Sequence, residues 1–260
     1  MKYVITGGAG FIGSHITKAL VEQGHNVTIL DNLNTGKEKN LELIKEKINF
    51  VKGDILDNKL LEEIMVDTDG VFHQAALASV QDSFSKPDEY HDVNVNGTEN
   101  ILKLAKKNNF KVVYASSSSV YGNPERIPIK ETDAKNPINP YGHTKLIIEQ
   151  MLSMLDNSIN MKYVSLRYFN AAGADPENQI GEAHFPETHI IPLAISTAFG
   201  DREFLPIYGI NYDTTDGTVI RDFVHVSDLA DAHVRAVEYL MNGGNSIKIN
   251  LGTGKGFSIK

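Results

Sequence analysis

The segment Thr6-Gly7-Gly8-Ala9-Gly10-Phe11-Ile12-Gly13-Ser14-His15 constrains the fold of this chain more than any other. It follows a β-rich run at 2–6 and opens an apolar-periodic stretch at 11–23. Gly7, Gly10 and Gly13 stand three apart, and Gly8, Gly10 and Gly13 also satisfy the G-x-G-x-x-G spacing. A strand that turns this sharply into a helix needs positions without side chains, first for the turn and then for close packing of helix on sheet. The start of that helix leaves backbone N–H groups free, and such groups suit phosphate oxygens. The strand before and the helix after separate this motif from a plain glycine turn.

The rest of the first two-thirds keeps the same rhythm. Further strands are expected at 26–30, 49–52, 70–73, 111–116 and 162–167, with helices at 11–23, 37–47, 57–65, 89–107 and 141–155. Strands alternating with amphipathic helices predict an α/β fold, a doubly wound parallel sheet of the Rossmann type. Residues 1–168 read as its dinucleotide-binding domain. After Arg167 the pattern changes: 170–192 is rich in Gly, Pro, Asn, His and Glu and reads as loop. A helix at 193–199, an apolar run at 204–208, a helix from 226 to about 241 and a strand at 247–251 follow. Residues 169–260 therefore read as a smaller C-terminal substrate lobe, interleaved with the sheet.

A chain of 260 residues with a formal charge of −8 does not suit a nucleic-acid duplex or an anionic membrane as partner. There is no cysteine, so disulfides and thiolate metal sites are excluded. No apolar stretch approaches a membrane span, and a cytoplasmic protein is expected. His184, His189 and His225 show no metal-like spacing, and no metal is assigned. His73, at a strand end, reads as a satisfied core histidine.

Asp31 closes the second strand, 18 residues after Gly13, where an acidic side chain accepts hydrogen bonds from the adenosine ribose hydroxyls. Its charge would repel a 2′-phosphate and no arginine stands near it, so NAD is preferred over NADP. Asp54 ends the third strand and suits the adenine amino group. Further on come Ser116-Ser117-Ser118-Ser119-Val120-Tyr121-Gly122 and Tyr141-Gly142-His143-Thr144-Lys145. Tyr141 and Lys145 lie one helical turn apart on one face. An ammonium beside a phenol favours the phenolate, so a lowered tyrosine pKa is expected. A serine that reaches the same substrate oxygen completes a proton-handling site. With the cradle, this points to an enzyme that moves a hydride and a proton at one carbinol carbon. Tyr121 reads as packing or substrate-lining rather than proton transfer, and Arg221-Asp222 either as an ion pair or, through Arg221, as a phosphate anchor.

These segments resemble the extended short-chain dehydrogenase/reductases. Leu166-Arg167-Tyr168-Phe169-Asn170-Ala171-Ala172-Gly173-Ala174, Thr214-Thr215-Asp216-Gly217-Thr218 and Ile220-Arg221-Asp222-Phe223-Val224-His225-Val226 narrow the resemblance to the UDP-glucose 4-epimerase branch. It spans essentially the whole chain. By position it implies NAD against Gly7, Gly10, Phe11, Ile12 and Gly13, against Asp31, Asn32, Leu33, Asn34, Thr35 and Gly36, and against Asp54, Ile55, Gln74, Ala75, Ala76, Ala78 and Phe169. It implies Ser117 and Tyr141 as catalytic residues, with Lys145 on the nicotinamide ribose. A UDP-sugar would meet Ser117, Tyr141, Asn170, His189, Ile190, Tyr208 and Arg221, and two copies would pair as a homodimer.

Three departures stand out. Ala78 occupies a place where many relatives carry lysine, and Val93 replaces an asparagine, with Asn94 adjacent. Family chains also continue past Leu251-Gly252-Thr253-Gly254 to supply an arginine and an aspartate for the nucleotide, whereas this chain ends at Lys260, which implies an incomplete nucleotide pocket. The resemblance implies epimerisation at C4 of UDP-glucose and UDP-galactose. A UDP-N-acetylhexosamine or UDP-glucuronate 4-epimerase and a non-catalytic NAD-binding module remain as alternatives. A 4,6-dehydratase needs an acid pair beside the serine, where Ser118 and Ser119 stand.

Overall fold

The computed structural model describes residues 1–177, 179–184 and 186–260. Strands β1 (Lys2–Thr6), β2 (Asn26–Asp31), β3 (Ile48–Lys52), β4 (Gly70–His73), β5 (Lys111–Ser117) and β6 (Tyr163–Tyr168) come first along the chain. The short strands β7 (Asn170–Ala172), β8 (Ile220–Arg221) and β9 (Phe223–His225) precede β10 (Ile247–Leu251), and β11 (Phe257–Ser258) follows. The large sheet has the order β3-β2-β1-β4-β5-β6-β10, with every pairing parallel. Strand order reverses between β1 and β4, and a crevice opens there at the carboxyl ends of the strands.

The helices are α1 (Phe11–Glu22), α2 (Asn58–Ile64), α3 (Val80–Ser85), α4 (Pro87–Tyr90), α5 (Gly97–Asn108), α6 (Pro140–Ile159), α7 (Ile190–Ala198) and α8 (Val226–Met241). Alternate side chains of each strand point to opposite faces, and both faces are covered. Tyr3 and Ile5 of β1 pack with Ile16 and Leu20 of α1 and with Leu229, Val234 and Val237 of α8. Val4 faces the other way, with Leu61 of α2, Ile101 and Leu102 of α5, and Ile148 and Leu152 of α6. Burial on both faces is why these strands read as apolar runs rather than alternating ones. Each fully buried leucine or isoleucine contributes roughly 1.5–3 kcal/mol.

The starts of α2 and α6 carry side-chain caps. Asp57 accepts from the Lys59 and Leu60 N–H groups, and Asn139 accepts from Gly142 N at 2.7 Å with Pro140 at the first helical position. After β6 the chain leaves the sheet, forms the β7–β9 parallel pair, and returns through α8 to β10, which pairs with β6. The C-terminal residues are thus threaded into the sheet.

Two segments differ from the sequence reading. The helix expected at 37–47 is a 3₁₀ segment, Glu38–Lys47, whose buried Leu41 and Ile44 stand three apart as that helix type requires. The helix expected at 89–107 is interrupted by a π-helical stretch, His91–Asn96. That widening turns Asn94 inward, where it accepts from Leu77 N at 2.8 Å and donates to Leu77 O and Thr144 Oγ1. The apolar run at 204–208 forms no strand, and its Phe204 and Tyr208 side chains stand exposed.

Candidate active site

The cradle is built as its sequence demands. Gly7 adopts φ +70°, and a Cβ there would sit 2.7 Å from Ala75 N. A Cβ on Gly13 would sit 2.1 Å from Gly7 O, so the first turn of α1 presses on the β1 turn at a distance only glycine permits. Ser14 Oγ and Thr17 Oγ1 donate to Phe11 O and Gly13 O, turning polar groups inside the buried helix back onto its own backbone. Asp31 accepts from Ala9 N at 2.9 Å through one oxygen and from Leu33 N at 2.8 Å through the other. Burial raises its pKa, and these two N–H groups work against the rise. Asn32 donates to Asp54 at 2.8 Å, tying the ends of β2 and β3 together.

A cavity of about 380 Å³ runs from Asp31, Asn32 and Asp54 past the glycine turn to Ser117, Tyr141 and Lys145. It is also lined by Gly7, Gly10, Phe11, Ile12, Gly13, Asn34, Thr35, Ile55, Gln74, Ala75, Ala76, Ala78, Phe169, Asn170 and His189. Of the expected cofactor contacts, Leu33 and Gly36 do not line it. Leu33 packs against the core, and Gly36 backs onto Asp31, where a Cβ would lie 2.8 Å from Oδ1. Leu77, within the stretch 74–78 expected to face NAD, lines the cavity; Val80, Ala115, Ser116, Tyr168, Glu182 and His184 do so too and were not anticipated. Leu77 depends on the inward Asn94, and nothing local in the sequence announces that contact. Val93, which stands where relatives carry asparagine, also lines the wall.

At the far end β5 delivers Ser117 and the first turns of α6 deliver Tyr141 and Lys145. Ser117 Oγ accepts from Ser119 N at 3.1 Å, which leaves its own proton free to donate. The Tyr141 pKa is raised to about 12, because desolvation outweighs the hydrogen bond with Ser117. This corrects the expectation of a phenol acidified by Lys145. The hydrogen bond of the Lys145 ammonium goes to Ala115 O at 2.8 Å, and the ammonium lies 5.6 Å from the centre of the Tyr141 ring. Burial in turn lowers the Lys145 pKa to about 7.

Beneath this floor, Arg167 and Glu149 form a bidentate buried pair at 2.6 and 2.8 Å, and Ser116 and Ser165 donate to the same carboxylate. Tyr121 accepts from Arg167 and donates to Asn250, a packing role as the sequence suggested. His73 is buried between Thr6 Oγ1 and Thr98 Oγ1, each at 2.7 Å, as expected for a satisfied core histidine.

A second cavity of about 360 Å³ adjoins the first and shares Asn170, Ala171, Glu182 and His189 with it. Ile190, Tyr208 and Arg221 line this second cavity, so the expected substrate residues divide between the two. Arg221 and Asp222 do not pair. Arg221 donates to Ile220 O, and Asp222 accepts from Thr253 N, Thr253 Oγ1 and Gly254 N. At the shared wall Glu182, His184, Glu187 and His189 converge, with one ligand atom from each lying within 4.8 Å of all the others. Spacing of the histidines alone missed this, because two of the four groups are glutamates. The neighbouring Glu182 carboxylate raises His189 to about 9 against burial. No described helix is long and apolar enough to cross a membrane.

A parallel sheet with a glycine cradle at its switch point, an acidic residue at the end of β2, and a Ser, Tyr and Lys set at the other end of the same cavity define a dinucleotide-dependent enzyme of the short-chain dehydrogenase kind. The chain belongs to the NAD dependent epimerase/dehydratase family, whose model matches residues 3–252. It is 47% identical to the UDP-glucose 4-epimerase of Halalkalibacterium halodurans, over 100% of this chain and 78% of that one. Among solved structures it is similar to UDP-glucose 4-epimerase from Brucella ovis in complex with NAD, at TM-score 0.94 and 47% identity, covering 99% of this chain and 79% of that one. The enzyme from Stenotrophomonas maltophila, with bound NAD and formylated UDP-arabinopyranose, superposes at TM-score 0.94 with 37% identity, covering 100% of this chain and 80% of that one.

Proposed function

We propose that this chain interconverts UDP-glucose and UDP-galactose by NAD-dependent epimerisation at C4, through a 4-keto sugar. The observation that carries the reading is a single cavity with the Asp31 cradle at one end and Ser117, Tyr141 and Lys145 at the other. The residues fit NAD. Gly7 and Gly13 leave room for close backbone approach to a pyrophosphate, and Asp31, which lines the cavity, retains acceptor capacity that would serve ribose hydroxyls. Bound there, NAD supplies a hydride acceptor that later returns the hydride, and its cationic nicotinamide ring favours the Tyr141 phenolate.

The chain's own residues handle the proton and the placement. Tyr141 as phenolate accepts the 4-hydroxyl proton, and Ser117 donates to the same oxygen and orients it. Lys145 holds the nicotinamide ribose and contributes positive charge beside the tyrosine ring. Asn170 and Arg221 anchor the pyrophosphate from the second cavity, Arg221 through paired N–H donors, while the hexose turns over. His189, Ile190 and Tyr208 wall the nucleotide. Inversion at C4 by this route involves no net redox change, so bound NAD would not be consumed.

Residues 169–260 act as the substrate lobe on this reading. We further propose a cytoplasmic homodimer. What supports pairing is an open apolar groove lined by Pro87, Pro137, Ile138, Pro140 and Ile147, on the face where α4 meets the start of α6.

The test is turnover of UDP-galactose to UDP-glucose by purified chain without added NAD, run in parallel with UDP-N-acetylgalactosamine and UDP-glucuronate. Conversion of UDP-galactose is expected. Failure on all three substrates with NAD still bound sinks the catalytic reading.

A further inference from the structure

We infer that Glu182, His184, Glu187 and His189 form a binding site for one Zn²⁺ ion in the wall shared by the two cavities. The inference stands apart from which sugar is turned over, because it rests on the donor set alone. The four groups supply two imidazole nitrogens and two carboxylate oxygens, all within 4.8 Å of one another. A tetrahedral zinc with bonds of about 2.0–2.1 Å separates its ligands by roughly 3.3 Å. The widest pair therefore needs to close by no more than about 1.5 Å, within reach of side-chain rotation.

Among the side chains of this group one aligned hydrogen bond forms, between His189 and Glu187. Glu182 Oε1 lies 2.8 Å from His189 Nδ1 and 3.3 Å from His184 Nδ1. The ring N–H directions satisfy neither contact as a hydrogen bond; His189 Nδ1 is aligned instead with Glu187 Oε1 at 2.9 Å. His184 Nδ1 is left buried with no hydrogen-bond partner. A buried nitrogen without a partner needs an explanation, and an ion shared by nitrogen and oxygen donors within 4.8 Å of one another supplies one.

Charge and chemistry choose the ion. Two carboxylates and two neutral imidazoles balance a divalent cation. A compact mixed nitrogen and oxygen set favours zinc over the all-oxygen cages of magnesium or calcium. Four protein ligands close the coordination sphere, which makes the ion structural. It would cross-link the segment 182–189, whose Glu182 and His189 face both cavities. The competing account is a proton on His189 shared between Glu187 and Glu182.

The experiment uses the full chain, stripped with a chelator and titrated with ZnCl₂ against a chromophoric chelator, with elemental analysis of the product. One Zn²⁺ per chain is expected, with at least a hundredfold weaker binding, on the order of 3 kcal/mol, in His184→Ala and Glu187→Gln. His143→Ala, on an exposed helix surface outside the cluster, should bind as the unaltered chain does. Cobalt substitution in the unaltered chain gives a readout that no variant's folding can confuse, and the intense visible bands of a tetrahedral site are expected. Absence of stoichiometric zinc, affinity unmoved in His184→Ala, or an octahedral cobalt spectrum would each overturn the assignment in favour of the shared proton.

Discussion

Replacement of Glu149 by glutamine tests how the catalytic floor is held together. Glu149 stands one turn beyond Lys145 on α6 and receives both Arg167 of β6 and Ser116, the residue before Ser117 on β5. Arg167 and Glu149 are each about 1% exposed, so water does not replace a lost partner. Glutamine keeps the shape and removes the charge, leaving a buried guanidinium uncompensated. Breaking such a pair from one side costs about 3–5 kcal/mol, against a total of about 5–15 kcal/mol for a folded domain. Urea unfolding at pH 7, followed by circular dichroism, should show that loss.

Replacing both partners at once, Glu149→Leu with Arg167→Met, should recover most of the loss, because an apolar pair leaves no orphaned charge. Acidity provides a second readout. Burial opposes ionisation of Glu149, but hydrogen bonds from Arg167 and Ser116 hold its pKa below the ordinary 4.5. Its contribution is therefore complete above pH 4.5 and fades as pH falls through the lower folded value. The gap between the unaltered chain and Glu149→Gln should close over that same range. A glutamine variant destabilised by less than about 1 kcal/mol at pH 7, or a double variant as unstable as the single one, refutes the reasoning.

Tyr141→Phe should lower turnover by at least about 10²–10⁴-fold while NAD remains bound, measured by coupled UDP-glucose formation and by cofactor release on denaturation; wild-type rates would remove Tyr141 as the base. Asp31→Ser should weaken NAD by about 1.5–3 kcal/mol in calorimetric titration, since a charged acceptor for the ribose is lost, and an unchanged affinity would place the adenosine elsewhere. Lys145→Met should stabilise the cofactor-free chain. The folded lysine titrates near 7 and the unfolded one near 10.5, so between those values only the unfolded chain holds the proton and stability of the unaltered chain rises with pH. The gain from methionine should accordingly be larger at pH 6 than at pH 10, on the order of a few kcal/mol, and a pH-independent effect in thermal melts would contradict the burial of the ammonium.

What the sequence made legible was local or periodic. The glycine turn, Asp31 at a strand end and the Tyr141 and Lys145 pair are each contained within a few residues, and the strand and helix that position them carry their own apolar signal. Contacts between distant residues were not legible. Glu149 and Arg167 are 18 residues apart, and Tyr168 meets Gln74 across 94. One hint existed: Glu149 sits among Ile148 and Leu152 on the buried face of α6, and a carboxylate on that face requires a partner. The π-helical stretch at His91–Asn96 changes the winding over too few residues to disturb an apolar period.

The largest difference between sequence and structure concerns the proton, and it bears on how catalysis is switched on. Spacing alone suggested that Lys145 acidifies Tyr141. The structure holds the phenol near 12 and the amine near 7, so burial discourages charge on both. A neutral phenol does not attract a proton from a sugar hydroxyl, and an amine titrating near 7 is only partly charged at neutral pH. A cation entering between the Asp31 cradle and the ring of Tyr141 changes that balance from the phenol side, since opposite charge at close range favours the phenolate by one to several pKa units. The amine responds in the other direction once ribose hydroxyls hydrogen-bond to its ammonium form. On the proposed function, acid–base competence in this pocket is a property of the loaded site, and a cofactor held by the cradle at one end of the cavity acts on the chemistry at the other through its charge.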